Sequence, residues 1–113
     1  MVTHQMKLST EPFEKIVSGK KIIESRLYDE KRQKIAIGDR IEFTRSDDPN
    51  KKILTEVIAL YRSTSFNDLF SNFPPSHFGG TSKDDLLKEI EIFYSKEDQQ
   101  ISGVIGIRIE VLK

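Results

Sequence analysis

At 113 residues, 36% hydrophobic and 32% charged, the chain is long enough to bury a core of its own, and residues 1–113 are expected to form one domain. The absence of cysteine excludes a disulfide framework, a thiolate nucleophile and a cysteine zinc site, and no stretch nears the roughly 18 apolar residues of a membrane span. Basic and acidic residues balance at 18 each, so the molecule as a whole exerts no bulk attraction on a polyanion.

The charge is nevertheless uneven along the chain. Residues 1–62 carry 13 Lys and Arg against 10 Asp and Glu, and residues 63–113 carry 5 against 8. The basic excess forms a face only if those side chains converge in space; otherwise it is a solvated surface of mixed charge. The first ten residues are too polar for a signal peptide, and a chain without thiols suits a reducing compartment, so the cytoplasm is the expected location.

In chain order, residues 6–9 read as a short strand. Thr10-Glu11-Pro12 reads as a helix start, with Phe13, Ile16 and Val17 at helical spacing and Gly19 as the stop. Residues 21–28 form a strand candidate, and residues 29–37 a polar connection with room for a helical turn. After the Gly38-Asp39 turn, residues 40–44 form a strand that puts Ile41 and Phe43 on one face. Asp47-Asp48-Pro49-Asn50 signals a turn, across which a long strand over residues 53–62 pairs back.

Ser65 caps a short helix bearing Phe66, Leu69, Phe70 and Phe73, which Pro74-Pro75 ends. Phe78-Gly79-Gly80 makes a loop. Ser82 then opens a second helix in a capping box with Asp85 in the usual Glu position, and Leu86, Leu87, Ile90 and Phe93 are its expected buried stripe. Residues 95–102 read as a polar turn region. Residues 103–112 form the last strand, with Ile105, Ile107, Ile109 and Val111 on one face. Strands joined by long connections and short helices give an α+β domain, and a small, partly closed barrel is the architecture that hides most sheet edges in so short a chain.

The order of these signals resembles the ASCH family (activating signal cointegrator homology), whose members have a PUA-like barrel. The resemblance rests on Gly19-Lys20-Lys21-Ile22-Ile23-Glu24-Ser25-Arg26 after the first helix and on Gly38-Asp39-Arg40-Ile41-Glu42-Phe43 after it. The Ser65-Phe66 helix start, the Phe78-Gly79 loop, Phe93-Tyr94-Ser95 and Gly103-Val104-Ile105-Gly106-Ile107 continue it. It implies a barrel of five or six mostly antiparallel strands with about three helices on its rim. It also implies a link to RNA or nucleoside chemistry through a cleft lined by the Lys21–Arg26 strand. Some small bacterial members of the family are amidohydrolases on N4-acylated cytidines, using a Lys and a Thr of this strand with a later Glu. Another bacterial member is associated with ribonuclease activity. In this chain Lys21 matches the family's Lys and Arg26 its Arg; Glu24 stands where the Thr would be, and the later Glu falls near Gly79.

The residues themselves leave several roles open. Strict alternation puts Glu24 and Arg26 on one face and Lys21 on the other, so the three meet only if the strand begins after Lys21 or bulges there. If they meet, Arg26 offers a fork for a phosphate or carbonyl oxygen, Lys21 a phosphate contact or a base, and Glu24 an acceptor for an exocyclic amine or a base for water. The bland alternative is an ion pair at the barrel mouth. Tyr28, Tyr61 and Tyr94 are candidates to stack a base. The expected ligand site is Lys21, Glu24, Arg26 and Tyr28, with Lys21 and Glu24 the catalytic candidates. His4 and His77 lack ligand spacing, so no metal and no cofactor is expected. Three readings follow: a module binding RNA or a modified nucleoside, a small hydrolase of the amidohydrolase or ribonuclease kind, and a protein-interaction domain.

Overall fold

The computed structural model describes residues 1–112. Its strands are β1 (Thr3–Leu8), β2 (Ile23–Leu27), β3 (Arg40–Arg45), β4 (Asp48–Ser63) and β5 (Val104–Val111). Its helices are α1 (Thr10–Val17) between β1 and β2, and α2 (Phe66–Ser71), α3 (Lys83–Ile90) and α4 (Lys96–Ser102), all between β4 and β5. Two 3-10 turns, Arg32–Lys34 and Pro75–Phe78, complete the chain path.

The five strands form one sheet in the order β1-β3-β4-β5-β2. β1 runs parallel to β3, with α1 serving the crossover, and every other pair is antiparallel. β4 bends the sheet. Its first part pairs with β3 as far as Glu56, and its second part pairs with β5 from Thr55 to Ser63, with a bulge between Val57 and Ala59. The extra residue, Ile58, is left on the outside, and the bulge sharpens the local twist. The result is an α+β fold in which the sheet curls into a half-barrel, with β1 and β2 as its two edges.

Side chains from β3 and β5 fill the inside of the curl as their alternation requires. Ile41, Phe43, Ile105 and Ile107 are almost wholly buried there, packed with Phe13 and Ile16 of α1. A second apolar cluster covers the other face of β2 and β5, where Ile23 and Val104 meet Phe66, Leu69 and Phe70 of α2, Phe78 and Leu86. Among the described residues no helix is long and apolar enough to cross a membrane.

Besides the bounds of β1, which begins at Thr3, and of β2, which spans Ile23–Leu27 instead of residues 21–28, the structure departs from the sequence reading in three places. The β3–β4 turn is Ser46-Asp47 rather than residues 47–50, because Asp48 already pairs with Arg45; Pro49 is accommodated where the register shifts. Residues 95–102 are a helix. Ser95 and Asp98 close a reciprocal capping box, and Gln99, almost fully buried, accepts a 2.9 Å hydrogen bond from the Phe66 backbone N–H. That helix is held by polar contacts and leaves Ile101 exposed, so no apolar stripe announced it. Finally, α3 ends at Ile90, so Phe93 falls beyond the helical period that would have buried it and stands 75% exposed.

Gly106 of β5 lets α2 lie directly on the sheet. A methyl there would stand 3.0 Å from Leu69 Cδ1 and 3.2 Å from Ile23 Cγ2. Gly106→Val is therefore expected to cost about 1–3 kcal/mol of stability through overpacking. Urea unfolding checks this as a lowered midpoint with an unchanged slope.

Candidate functional site

β2 carries the site, and its late start decides the geometry. The backbone N–H groups of Lys20 and Lys21 both donate to the Lys15 carbonyl at the end of α1, and that of Ile22 donates to His77. The sheet ladder therefore begins at Ile23. Lys21, released from strand alternation, turns to the same side as Glu24 and Arg26, which satisfies the condition the sequence set for the three to meet.

Glu24 is the centre of the group. Its side chain is only 4% exposed, and its two oxygens are both engaged: Lys21 Nζ lies 2.7 Å from Oε1, and Arg26 Nε donates to Oε2 at 2.8 Å. Arg26 also donates from Nη2 to the Lys7 carbonyl at 2.9 Å, reaching from one edge strand of the sheet to the other. Burial by itself would push the Glu24 carboxyl up. The Lys21 and Arg26 charges, with their hydrogen bonds, outweigh it and bring the carboxyl down from 4.5 to about 2. Arg26 is subject to the same contest: burial lowers it, but Glu24 foremost, with the Tyr94 hydroxyl beside it, moves it up from its ordinary value.

The three residues line a cleft of 380 Å³ at the seam between β1 and β2. Lys7, Lys21, Glu24 and Arg26 form its polar wall. Phe70, Ile90, Phe93 and Tyr94, from α2 and from the end of α3 and the segment after it, also line the cleft, with the Tyr94 hydroxyl beside Arg26. Tyr94 is fixed from behind by Phe66, their rings 5.8 Å apart and close to parallel. Phe93 at the rim has no such support and presents its ring to solvent.

Of the four expected ligand residues, three converge and one does not. Tyr28 lies one residue past the end of β2 and packs against the inner core, with the Arg62 guanidinium 4.3 Å above its ring, and does not line the cleft. Tyr61 packs on Phe73 at 4.5 Å. Tyr94 is the tyrosine that reaches the site. Phe93 was hidden in the sequence by the helical stripe assigned to it. The signal that could have exposed it is Ser95, whose role as a helix cap requires α3 to have ended before the Phe93-Tyr94 pair.

The segment after α2 supports Lys21 from below. The Lys15 ammonium donates to the Gly79 carbonyl at 2.7 Å, and a methyl on Gly79, whose φ is +80°, would lie 3.1 Å from Lys21 Cβ. The position near which the family's later Glu was expected is thus beside Lys21 and carries no side chain. His77 lines a separate shallow cleft with Lys15 and Gly79. Among the described residues no three His, Asp or Glu side chains gather in a way that would hold a metal ion.

The model of the ASCH domain matches residues 6–113. The chain belongs to the ASCH family. The hypothetical protein PH0355, a crystal structure, is 33% identical over 98% of this chain and all of its own, with a TM-score of 0.88. Protein PF0455 of Pyrococcus furiosus, solved in solution, is 32% identical over 99% of both chains, with a TM-score of 0.78. The ASCH domain of Lactobacillus crispatus shares the fold at 16% identity, with a TM-score of 0.71 over 96% of this chain and 79% of its own. No curated protein matches. The PUA-like architecture of this family is consistent with nucleic-acid or nucleoside interaction.

The depressed Glu24 carboxyl ties stability to pH. Because the folded value lies below 4.5, its contribution is complete above pH 4.5 and is lost as pH falls toward 2. Over that window wild type should lose about 3 kcal/mol that Glu24→Gln does not lose. Asp39, brought down to about 2 first by His4 and then by the Ala36 and Val2 amides, titrates in both proteins and cancels in the difference. Chemical denaturation at several pH values checks this.

Proposed function

We propose that the chain is a binding module for RNA or a modified nucleoside, with Lys21, Glu24 and Arg26 as the polar half of its ligand site. What supports this reading is that a buried, cationic polar cluster and the Phe93-Tyr94 pair line a single cleft. Aromatic faces accept any base by stacking, while an ammonium and a guanidinium supply donors for base carbonyls or phosphate oxygens. The cleft lies toward the small end of the roughly 300–1,000 Å³ typical of small-ligand sites. A chain without cysteine suits a reducing compartment, and the cytoplasm is the proposed location.

A hydrolase is the second reading, because its first requirement is present: Lys21 and Glu24 are in hydrogen-bond contact at an open cleft. Against it stands the state of the carboxylate. Both oxygens are held by cations and the carboxyl is brought down to about 2, which makes Glu24 a poor base for water. Binding without turnover is therefore the expected behaviour. A protein-interaction role calls for an exposed apolar patch, and Ile92, Phe93 and Ile101 are exposed; the buried ionic cluster of the cleft favours a polar ligand instead.

An NMR shift titration with nucleosides, acylated cytidine and a short single-stranded RNA tests the proposal. Shifts should cluster at Lys21, Glu24, Arg26 and Tyr94, and Arg26→Ala should weaken binding at least about tenfold, in line with loss of a charged hydrogen bond. Binding that persists in a folded Arg26→Ala protein would put the ligand site elsewhere. Product formation that disappears in Glu24→Gln would make the chain an enzyme.

A further inference from the structure

The polar half of the cleft carries an imbalance of charge. Glu24 supplies one negative charge, and it is shared between two cations, one on each oxygen. Both cations are themselves largely buried, Lys21 at 14% and Arg26 at 15% side-chain exposure, and neither makes a salt bridge to any other carboxylate among the described residues. Wider inclusion does not change the sign. Lys7 and Glu89, both exposed, are the other charged residues of the cleft, and they offset each other. A net positive charge withdrawn from water and set against apolar walls is costly until an anion compensates it.

Hydrogen-bonding capacity points the same way. An ammonium has three donors, and Glu24 takes one of those of Lys21. A guanidinium has five, of which Glu24, the Lys7 carbonyl and the neighbouring Tyr94 hydroxyl engage three. The donors left over belong to two side chains that share the Glu24 carboxylate and line the same cleft. Several donors around one surplus positive charge match a tetrahedral oxyanion better than a single base carbonyl. At the rim of the cleft, the 75% exposed Phe93 ring is apolar surface that a flat ring system would cover.

We infer that the cleft takes one monophosphorylated nucleotide, its phosphate on Lys21 and Arg26 and its base against Phe93 and Tyr94, in preference to an uncharged nucleoside. This rests on the proposed nucleoside or RNA reading and narrows it. The same chemical unit occurs as a free mononucleotide and as the phosphorylated end of an RNA strand. The volume of 380 Å³ suits one such unit rather than a length of chain.

The test is a calorimetric titration of the whole protein with nucleoside 5′- and 3′-monophosphates, the matching nucleosides, inorganic phosphate, and a short single-stranded RNA with and without a terminal phosphate. A monophosphate is expected to bind at least about tenfold more tightly than its nucleoside, with an affinity that falls as salt rises. Lys21→Met leaves Glu24 paired with Arg26 as a neutral couple and should erase that preference. Phe93→Ala, at an exposed position, should weaken nucleotide and nucleoside alike by about tenfold, the scale of one lost base stack. Tighter binding of the free monophosphate assigns the source to mononucleotides; tighter binding of the phosphorylated RNA over its dephosphorylated form assigns it to strand ends. Equal affinity for nucleoside and monophosphate overturns the inference, as does inorganic phosphate binding as tightly as the nucleotide. RNA that binds regardless of its terminal phosphate while mononucleotides do not also overturns it, yet leaves the binding-module reading standing. Failure of every nucleoside, nucleotide and RNA to bind removes both.

Discussion

A single buried carboxylate organises this molecule. Glu24 draws Lys21 in from the loop after α1 and Arg26 from its own strand, and Arg26 continues to the Lys7 carbonyl on the far edge of the sheet. The polar wall of the cleft and the contact between the two edge strands therefore share the same charge. Removing one member of such a buried group leaves the rest uncompensated, which is why the ionic cluster is more demanding than an apolar plug of equal size. The cluster leaves one positive charge uncompensated on the wall of the cleft.

The frame around the cluster is built to bring two edge strands near each other. β4 is long enough to pair with β3 along one part and β5 along the other, and the bulge at Ile58 turns the sheet between them. The N-terminal edge is pinned separately. Asp39 accepts hydrogen bonds from the Val2 and Ala36 amides and lies 2.9 Å from the His4 ring, so the Gly38-Asp39 turn holds β1 in parallel register with β3. The Gly-Asp pair that marked the family in the sequence is thus also a clamp.

Most of the fold was legible where burial follows a period. Ile41 and Phe43 on β3, and Ile105, Ile107 and Ile109 on β5, lie where alternation put them. The Ser65 and Ser82 caps each accept the backbone hydrogen bond expected of them. Legibility failed where structure is held by polar contacts. α4 rests on a capping box and on Gln99, with no apolar stripe to report it. At the site, the sequence gathered Lys21, Glu24 and Arg26 because they are near neighbours on the chain. It could not bring Phe93 and Tyr94 to them, since those residues arrive through the packing of α2 and α3 on the sheet, some seventy positions later. Tyr28 shows the converse: its nearness along the chain did not bring it to the cleft, because β2 ends at Leu27 and its ring packs on the inner core.

The seam between β1 and β2 has a further consequence. β1 is an outer strand, and strand edges with free carbonyls are templates on which another chain can add itself. Here the Gln5 carbonyl is taken by the Lys31 ammonium at 3.0 Å and the Lys7 carbonyl by the Arg26 guanidinium. Two long cationic side chains thus occupy the acceptors and put positive charge along the rim. The seam of the half-barrel can thus stay open while these two acceptors of its edge are already engaged and unavailable to a second copy of the chain.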